Sequence, residues 1–234
     1  MPEPIQIYRY LDSDAALKTL VSGAFKVGKI SSFNDPFEWQ FGVNQTAHED
    51  LPKIEFLRQS LRQRFDSQIG VLCFSKSIKD PVLWSLYAEK HHGVAFELKH
   101  AWTPKELLHI SYSNQRPQVE VQKIHEFAMA NSWETEFVEY IKPIIARFIE
   151  QKSESWGFEN ECRLTVHVKN PNHCQEHNGI PYWPIPKSYL ARIILGFRCP
   201  LQETQVRKLL DMNGFENTEV TRAKMFSETY AILC

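Results

Sequence analysis

The chain has 234 residues, of which 43% are hydrophobic and 24% are charged, and its formal net charge is −1 at pH 7. This is an ordinary globular composition, and it predicts a single domain over 1–234 with a sizeable hydrophobic core. The balanced charge does not indicate a nucleic-acid partner, because proteins that bind nucleic acid neutralise its phosphates with a basic surface.

Two further features indicate a cytoplasmic protein. No apolar run approaches the roughly 18 residues of a membrane span, so no membrane partner is expected. The five cysteines are odd in number and form no CxxC pair. That pattern favours reduced thiols over a disulfide framework.

The first part of the chain predicts short strands that alternate with helices. Alternating or continuous apolar runs mark the strands, and Asp, Ser, Pro and Gly mark the helix ends. In chain order, the expected elements are a strand over 5–11, a helix over 13–21, a strand over 25–30, a helix over 49–67, a strand over 70–75, a helix over 80–90 and a strand over 93–98. Phe33 and Phe37 flank an Asn34-Asp35-Pro36 turn, and we expect both rings to pin this turn to the core.

The second part begins with the longest helical stretch, over about 119–152, which is interrupted near Pro143 and is interpreted as a helical insertion. The elements expected after it are a strand over 156–164, a loop over 170–187, a strand over 190–196, a helix over 201–212 and a strand over 218–223. The whole pattern predicts an α+β fold, in which a mixed, mostly antiparallel sheet forms the core and the helices are peripheral or inserted.

The stretch from Trp156 to Leu164 predicts a strand that carries Glu159, Glu161 and Arg163 on one face. At a rise of about 3.3 Å per residue, the two carboxylates would lie about 6 to 7 Å apart. Paired carboxylates at such a spacing cleave glycosidic bonds, because one stabilises the developing cation and the other handles a proton. A solvated surface strand gives the same stripe, so a structural role stays open.

Arg9 and Ser75 are candidates for ligand binding on neighbouring strands. Arg9 lies between Tyr8 and Tyr10, where a guanidinium can bind a phosphate with two hydrogen bonds. A rim arginine paired with a carboxylate is the alternative. Ser75 follows a buried strand and could bond a ribose hydroxyl or hold Glu161, but it has no nucleophile elbow around it.

Trp84 and Tyr87 share one face of the helix over 80–90 and could contact a ligand, although core packing gives the same spacing. His92, near the end of that helix, is a candidate general base or a cap of the last carbonyls. The His173–His177 stretch lacks the four donors that a structural zinc site needs, so no metal is expected.

Taken together, these blocks resemble the bacterial family catalogued as domain of unknown function 2971, some of whose members are linked to phage defence by abortive infection. The resemblance covers most of the chain and implies a relationship rather than a reaction. The positions that carry it are Tyr8-Arg9-Tyr10, the Phe33–Glu38 loop, Cys73-Phe74-Ser75, Trp84 with Tyr87, His92-Gly93-Val94, and Trp156 with Glu159, Glu161 and Arg163.

The order of Arg9, Ser75 and Glu161 is also similar to that of the site residues in ADP-ribosyltransferases. This second resemblance implies that Arg9 binds the pyrophosphate of NAD and that Ser75 supports the site. It implies that Glu161 holds the nicotinamide ribose and stabilises the oxocarbenium ion, while Glu159 orients the acceptor. The Ser-Thr-Ser triplet usual in those enzymes is absent around Ser75.

We therefore expect an enzyme that cleaves the nicotinamide N-glycosidic bond of NAD without a metal and passes ADP-ribose to a macromolecule or to water. The first alternative is a non-catalytic module that recognises a nucleotide or a peptide. Its aromatic cleft would be formed by Phe33, Phe37, Trp39, Trp84 and Tyr87. A ribonuclease that uses His92 is a further alternative, although no second well-placed histidine accompanies it.

Overall fold

The computed structural model describes residues 3–43, 51–119 and 146–234. Most of the expected helical insertion falls at 120–145 and lies outside the described residues. The helices are α1 (Ser13–Ser22), α2 (Leu51–Asp66), α3 (Pro81–Tyr87) and α4 (Glu203–Met212), and 3-10 turns occupy Ile30–Ser32, Glu89–His91 and Glu154–Glu159. The strands are β1 (Ile5–Leu11), β2 (Ala24–Lys26), β3 (Gly42–Val43), β4 (Ile69–Ser75), β5 (Val94–His100), β6 (Leu107–His109), β7 (Ser111–Tyr112), β8 (Gln118–Val119), β9 (Gln151–Lys152), β10 (Glu161–His167), β11 (Gln175–His177), β12 (Ile180–Pro184), β13 (Leu190–Leu195), β14 (Glu219–Arg222), β15 (Lys224–Met225) and β16 (Ile232–Leu233).

A seven-stranded sheet in the order β14-β13-β5-β1-β4-β10-β6 is the centre of the molecule. All its neighbouring strands run antiparallel except β13 and β14, which are parallel. The α+β fold with a mixed, mostly antiparallel sheet is therefore confirmed.

Helices cover both faces of this sheet because apolar side chains alternate along its strands. Leu20 of α1 and Leu210 of α4 pack on one face, where Ile7, Leu72 and Phe96 belong to the largest buried cluster. Trp84 of α3 and Phe65 of α2 belong to two smaller buried clusters formed with residues that point to the other face.

The sheet opens between β1 and β4. β1 pairs with β5 along its whole length, but it pairs with β4 only at Tyr8 and Ser75. Beyond that pair, Gly28 exchanges two backbone hydrogen bonds with Val71 of β4, at 3.0 and 2.9 Å. Gly28, which follows β2, thus pairs with β4 where β1 no longer does. A gap opens between β1 and β4 beyond the pair of Tyr8 and Ser75.

The expected strand over 156–164 is wrong at its beginning. Glu159 ends a 3-10 turn, Asn160 follows in the left-handed region with a φ of 45°, and β10 starts only at Glu161. The Ser153 hydroxyl caps this turn by accepting from the Ser155 amide, so local turn chemistry overrides the alternating pattern. The rest of the expectation holds, since Cys162 points to the core cluster and Arg163 points to the opposite face.

The aromatic anchors of the Asn34-Asp35-Pro36 turn differ from each other. Phe33 packs against the buried cluster that contains Phe65, as expected. Phe37 is 59% exposed and lies under the guanidinium of Arg116, so its ring does not pin the turn to the core.

Candidate functional site

A cavity of about 460 Å³ lies where β1 and β4 separate, and we call it the β1–β4 cavity. Its walls come from the ends of β1, β4 and β10, from the turn around Asn34 and from α3. The residues with predicted roles that line it are Tyr8, Arg9, Phe33, Ser75, Tyr87, Glu159 and Glu161. The structure thus brings together residues that are up to 153 positions apart in the chain.

A polar row crosses the sheet beside this cavity. Tyr8, Ser75 and Glu161 are direct cross-strand neighbours on β1, β4 and β10. The row continues from Tyr8 to Glu97 of β5 and Arg192 of β13, whose side chains form a salt bridge of 2.7 Å. Directly opposite residues point to the same face of a sheet, so the row places Ser75 and Glu161 side by side.

Glu161 is held by two cations. Arg163 donates from Nε to Oε1 at 2.6 Å and from Nη2 to Oε2 at 2.9 Å, and Lys152 Nζ lies 3.3 Å from Oε2. Burial by itself would raise the pKa of Glu161, but Arg163 and Lys152 outweigh it and lower that pKa. Glu161 is therefore an ionised carboxylate at neutral pH, as stabilisation of a cation requires.

Lys152 joins this pair to two further carboxylates. Its Nζ lies 2.6 Å from Glu159 Oε2 and 3.2 Å from Glu38 Oε1, and Arg163 Nη2 lies 2.6 Å from Glu38 Oε2. At most 7% of each of these side chains is exposed. The ion cluster, by which we mean Glu38, Lys152, Glu159, Glu161 and Arg163, holds three carboxylates against two cations. With all five groups charged, it is one negative charge in excess.

Glu159 is one of the two carboxylates of the ion cluster whose pKa is raised, and it is the one that accepts a hydrogen bond from Tyr87. Burial raises its pKa, against the opposing effects of Lys152 and of the Tyr87 hydroxyl. That hydroxyl donates to Glu159 Oε1 and in turn accepts from Asn34 Nδ2 at 3.0 Å. A chain of hydrogen bonds thus connects the exposed Asn34 with a buried acid.

Ser75 helps to hold Glu159 in place through hydrogen bonds with backbone groups. Its hydroxyl donates to the Glu159 carbonyl oxygen at 2.5 Å and accepts from the Ser77 amide at 2.9 Å. These bonds fix the turn that carries Glu159 beside the end of β4. Ser75 is therefore a positioning residue in this structure.

Arg9 lines the cavity without a carboxylate partner among the described residues. Its guanidinium lies 4.9 Å from the ring centre of Phe25 and 5.8 Å from that of Phe74. Nη2 donates to the Lys26 carbonyl oxygen at 3.0 Å, while Nη1 is buried and has no hydrogen-bond partner in the described part of the chain. Burial lowers the pKa of Arg9 to about 10, so the group is still a cation at neutral pH. A desolvated cation with an unused donor attracts an anion.

The structure decides between the alternatives left open for two nearby residues, in favour of core packing for Trp84 and of carbonyl capping for His92. Trp84 is fully buried and does not line the cavity, because its Nε1 donates to the Ile78 carbonyl oxygen at 2.8 Å and its ring packs edge-on against Tyr10. His92 is exposed, with Nδ1 3.0 Å from the Glu89 carbonyl oxygen, and it too lies away from this cavity.

Sequence reasoning missed the part played by Lys152 and by Glu38. The sequence pattern placed Lys152 at the end of a stretch interpreted as helical. In the structure Lys152 lies in β9, and its ammonium group belongs to the ion cluster. Glu38 belongs to the Phe33–Glu38 loop, whose unusual run of Asn, Asp, Pro and Glu was the available signal.

No family model, curated protein or solved structure matches this chain. Within residues 3–43, 51–119 and 146–234, no group of three or more His, Cys, Asp or Glu side chains is arranged to hold a metal ion. None of the helices in the described part of the chain has the length and apolar character to cross a membrane.

Proposed function

We propose that the β1–β4 cavity binds NAD and cleaves its nicotinamide N-glycosidic bond. The observation that carries this proposal is that Arg9, a cation without a carboxylate partner among the described residues, and Glu161, an ionised carboxylate, both line this cavity. A dinucleotide needs a cation for its pyrophosphate, and the reaction needs a negative charge beside the sugar.

The reaction breaks the bond between C1′ of the ribose and the nicotinamide nitrogen, and the bonding electron pair leaves with neutral nicotinamide. Glu161 stabilises the oxocarbenium ion that remains. The hydroxyl of water or of a macromolecule then attacks C1′, and Glu159 accepts its proton. The raised pKa of Glu159 supports this role, because a base works best when its pKa approaches the operating pH.

The biological setting of this activity is part of the proposal. The resemblance to family 2971, with its links to abortive infection, supports a defence function in the bacterial cytoplasm. A macromolecular acceptor would then receive the ADP-ribose.

The test is nicotinamide release from NAD by the purified protein, with and without cell lysate as a source of acceptor, together with calorimetric titration of NAD. Glu161→Gln keeps the side-chain shape but removes the charge, so we expect turnover to fall about 100-fold or more while NAD still binds. Arg9→Ala removes the phosphate contact, so its main effect is expected on the affinity for NAD.

Glu97→Gln is the matched control for loss of a buried ion pair. Glu97 is 3% exposed, pairs with Arg192 in the same polar row and does not line the cavity. We expect this variant to lose stability and keep its turnover. Equal loss of turnover in both variants, or the absence of NAD binding and cleavage by the unaltered protein, would refute the proposal.

A specific observation favours a second candidate, a non-catalytic nucleotide-recognition module. Both oxygens of Glu161 already accept from Arg163, and Lys152 compensates the same charge. A carboxylate that is already paired with two cations stabilises the fold, and it stabilises positive charge on a bound sugar less strongly. Binding of NAD without release of nicotinamide would identify this candidate.

A further inference from the structure

A second cavity, of about 530 Å³, lies beside the hairpin that β15 and β16 form, and we call it the Phe197 cavity. One wall is the 225–232 segment of this hairpin, and the other walls come from Pro81, His91 and Phe197. It shares no lining residue with the β1–β4 cavity. The two cavities are therefore separate features of the surface.

The hairpin leaves large apolar side chains exposed around the Phe197 cavity. Met225 is 69% exposed, Phe226 is 42% exposed and Tyr230 is fully exposed, and all three line this cavity. The hairpin is anchored, because Ile232 is buried and its amide donates to the Lys79 carbonyl oxygen at 3.0 Å. Adjacent apolar side chains that a fixed element leaves exposed mark a surface that another molecule covers.

The backbone on the opposite wall has an unusual conformation. Glu89, Lys90 and His91 have φ values of 48°, 53° and 71°, in the left-handed region that residues other than glycine seldom adopt. Packing fixes the His91 ring, whose centre lies 6.4 Å from that of Trp84 and 4.7 Å from that of Phe197. Strained residues that the surrounding structure holds in this way cluster at functional surfaces.

Two opposite charges beside the Phe197 cavity have no ion-pair partner in the described part of the chain. The guanidinium of Arg198 lies 5.1 Å from the ring centre of Phe197, and Glu228 lines the cavity from the hairpin. Both residues are exposed. A surface that carries the same two charges in the reverse order is complementary to this one, and a second copy related by a two-fold axis presents that order.

We propose that two copies of this chain form a dimer through the Phe197 cavity, with Tyr230 of each copy in the cavity of the other. A two-fold axis makes both contacts at once, because the projecting ring and the cavity belong to the same patch. The phenol ring packs against Phe197 and Phe226. Its hydroxyl bonds Nε2 of His91, since that ring is half-exposed and only its Nδ1 is enclosed.

The test is sedimentation equilibrium of the purified chain at increasing concentrations. We expect a monomer–dimer equilibrium with a Kd of roughly 1 to 100 μM, because the patch is small. Tyr230→Ala should weaken the dimer about tenfold or more, since a few aromatic residues dominate such interfaces. Tyr230 is fully exposed in the monomer, so its replacement should leave the fold intact. Phe56→Ala is the matched control, because Phe56 is 67% exposed but lies on α2 and does not line the Phe197 cavity.

A charge exchange tests the orientation of the two copies. Arg198→Glu and Glu228→Arg each place like charges opposite one another, so each variant should weaken the dimer about threefold or more. The double variant carries both changes and restores opposite charges across the interface. We expect its Kd to return towards that of the unaltered protein.

Three results would overturn the inference: a monomer at every concentration, equal weakening by Tyr230→Ala and Phe56→Ala, or a double charge variant that dimerises no better than the single variants. A monomer at every concentration would assign the exposed patch to a different molecule. The measurement does not involve NAD, so dimerisation and NAD cleavage fail separately.

Discussion

At the scale of single residues, Lys152 determines the electrostatics of the candidate site. Its ammonium group lies within 3.3 Å of three carboxylates, and its attraction opposes the rise in pKa that burial causes in each of them. The three carboxylates in turn outweigh burial and raise the pKa of Lys152. The ion cluster is therefore one coupled unit, in which each charge depends on the others.

Lys152→Met is expected to lower the free energy of unfolding by about 3 to 5 kcal/mol at neutral pH, because it leaves buried carboxylates with too little positive charge. Without Lys152 the folded-state pKa of each acid rises, and the pKa values of Glu38 and Glu159, which burial already raises, move further above the unfolded value of about 4.3. The folded protein then binds more protons than the unfolded one, so its stability increases as the pH falls towards those raised values. The stability deficit of the variant should be largest near pH 7 and smaller near pH 5.

Urea unfolding of both proteins between pH 5 and pH 8 measures this deficit. Lys18→Met is the control, since Lys18 pairs with Asp14 on an exposed helix surface where both side chains are 74% exposed. Exposed ion pairs of this kind contribute little to the free energy of unfolding, so the control should unfold like the unaltered protein. A deficit that does not change with pH would contradict the coupling of Lys152 to the carboxylates.

At the scale of secondary structure, the turn before β10 separates the two candidate carboxylates. Glu159 ends a 3-10 turn, and the left-handed Asn160 reverses the backbone before Glu161 enters the sheet. Both side chains therefore reach Lys152 from different directions. A continuous strand would have placed them in a row along one chain.

Asn160→Ala is expected to lower the free energy of unfolding by about 1 kcal/mol, because alanine has a Cβ but lacks the amide that eases the left-handed conformation. Asn160→Gly meets no such penalty and should be as stable as the unaltered protein. Chemical denaturation of the two variants measures the difference. Equal stability of the alanine and glycine variants would show that the φ of 45° at Asn160 is not maintained.

At the scale of the whole molecule, the fold depends on a close approach of three segments at Gly93. A Cβ atom there would lie 2.1 Å from the Leu11 carbonyl oxygen and 2.9 Å from the Ala88 Cα. Gly93 thereby joins the end of β1 to the region after α3 and to the start of β5. The position of β1 beside β5, and hence of Arg9, follows from this contact.

Gly93→Ala is expected to cost about 2 kcal/mol or more of stability, since the added methyl group meets backbone atoms that cannot rotate away. Gly157→Ala is the matched control, because a Cβ there has no atom within 4 Å. Thermal unfolding compares the two. If both variants melted together, the close packing of the three segments would be disproved.

Several elements were predictable from the sequence because their signals are local. The helix that starts at Pro81 has its Asp80 cap and its Pro at the first position, and β13 reads as a short apolar run interrupted only by Arg192. Tyr87, Ser75 and Arg9 were singled out for their residue types, and they do meet at one cavity. Trp84 was misjudged because a helical face shows the same spacing whether it packs in the core or contacts a ligand.

The sequence by itself determined the α+β class, the positions of α1 to α4 and those of six of the seven strands in the central sheet, because periodicity and end signals act within a few residues. Only the tertiary structure decided that β1 leaves β4 after Tyr8 and that Lys152 reaches three carboxylates. Each of these features joins segments distant in the chain. Their energies depend on burial and on neighbours that no local pattern contains.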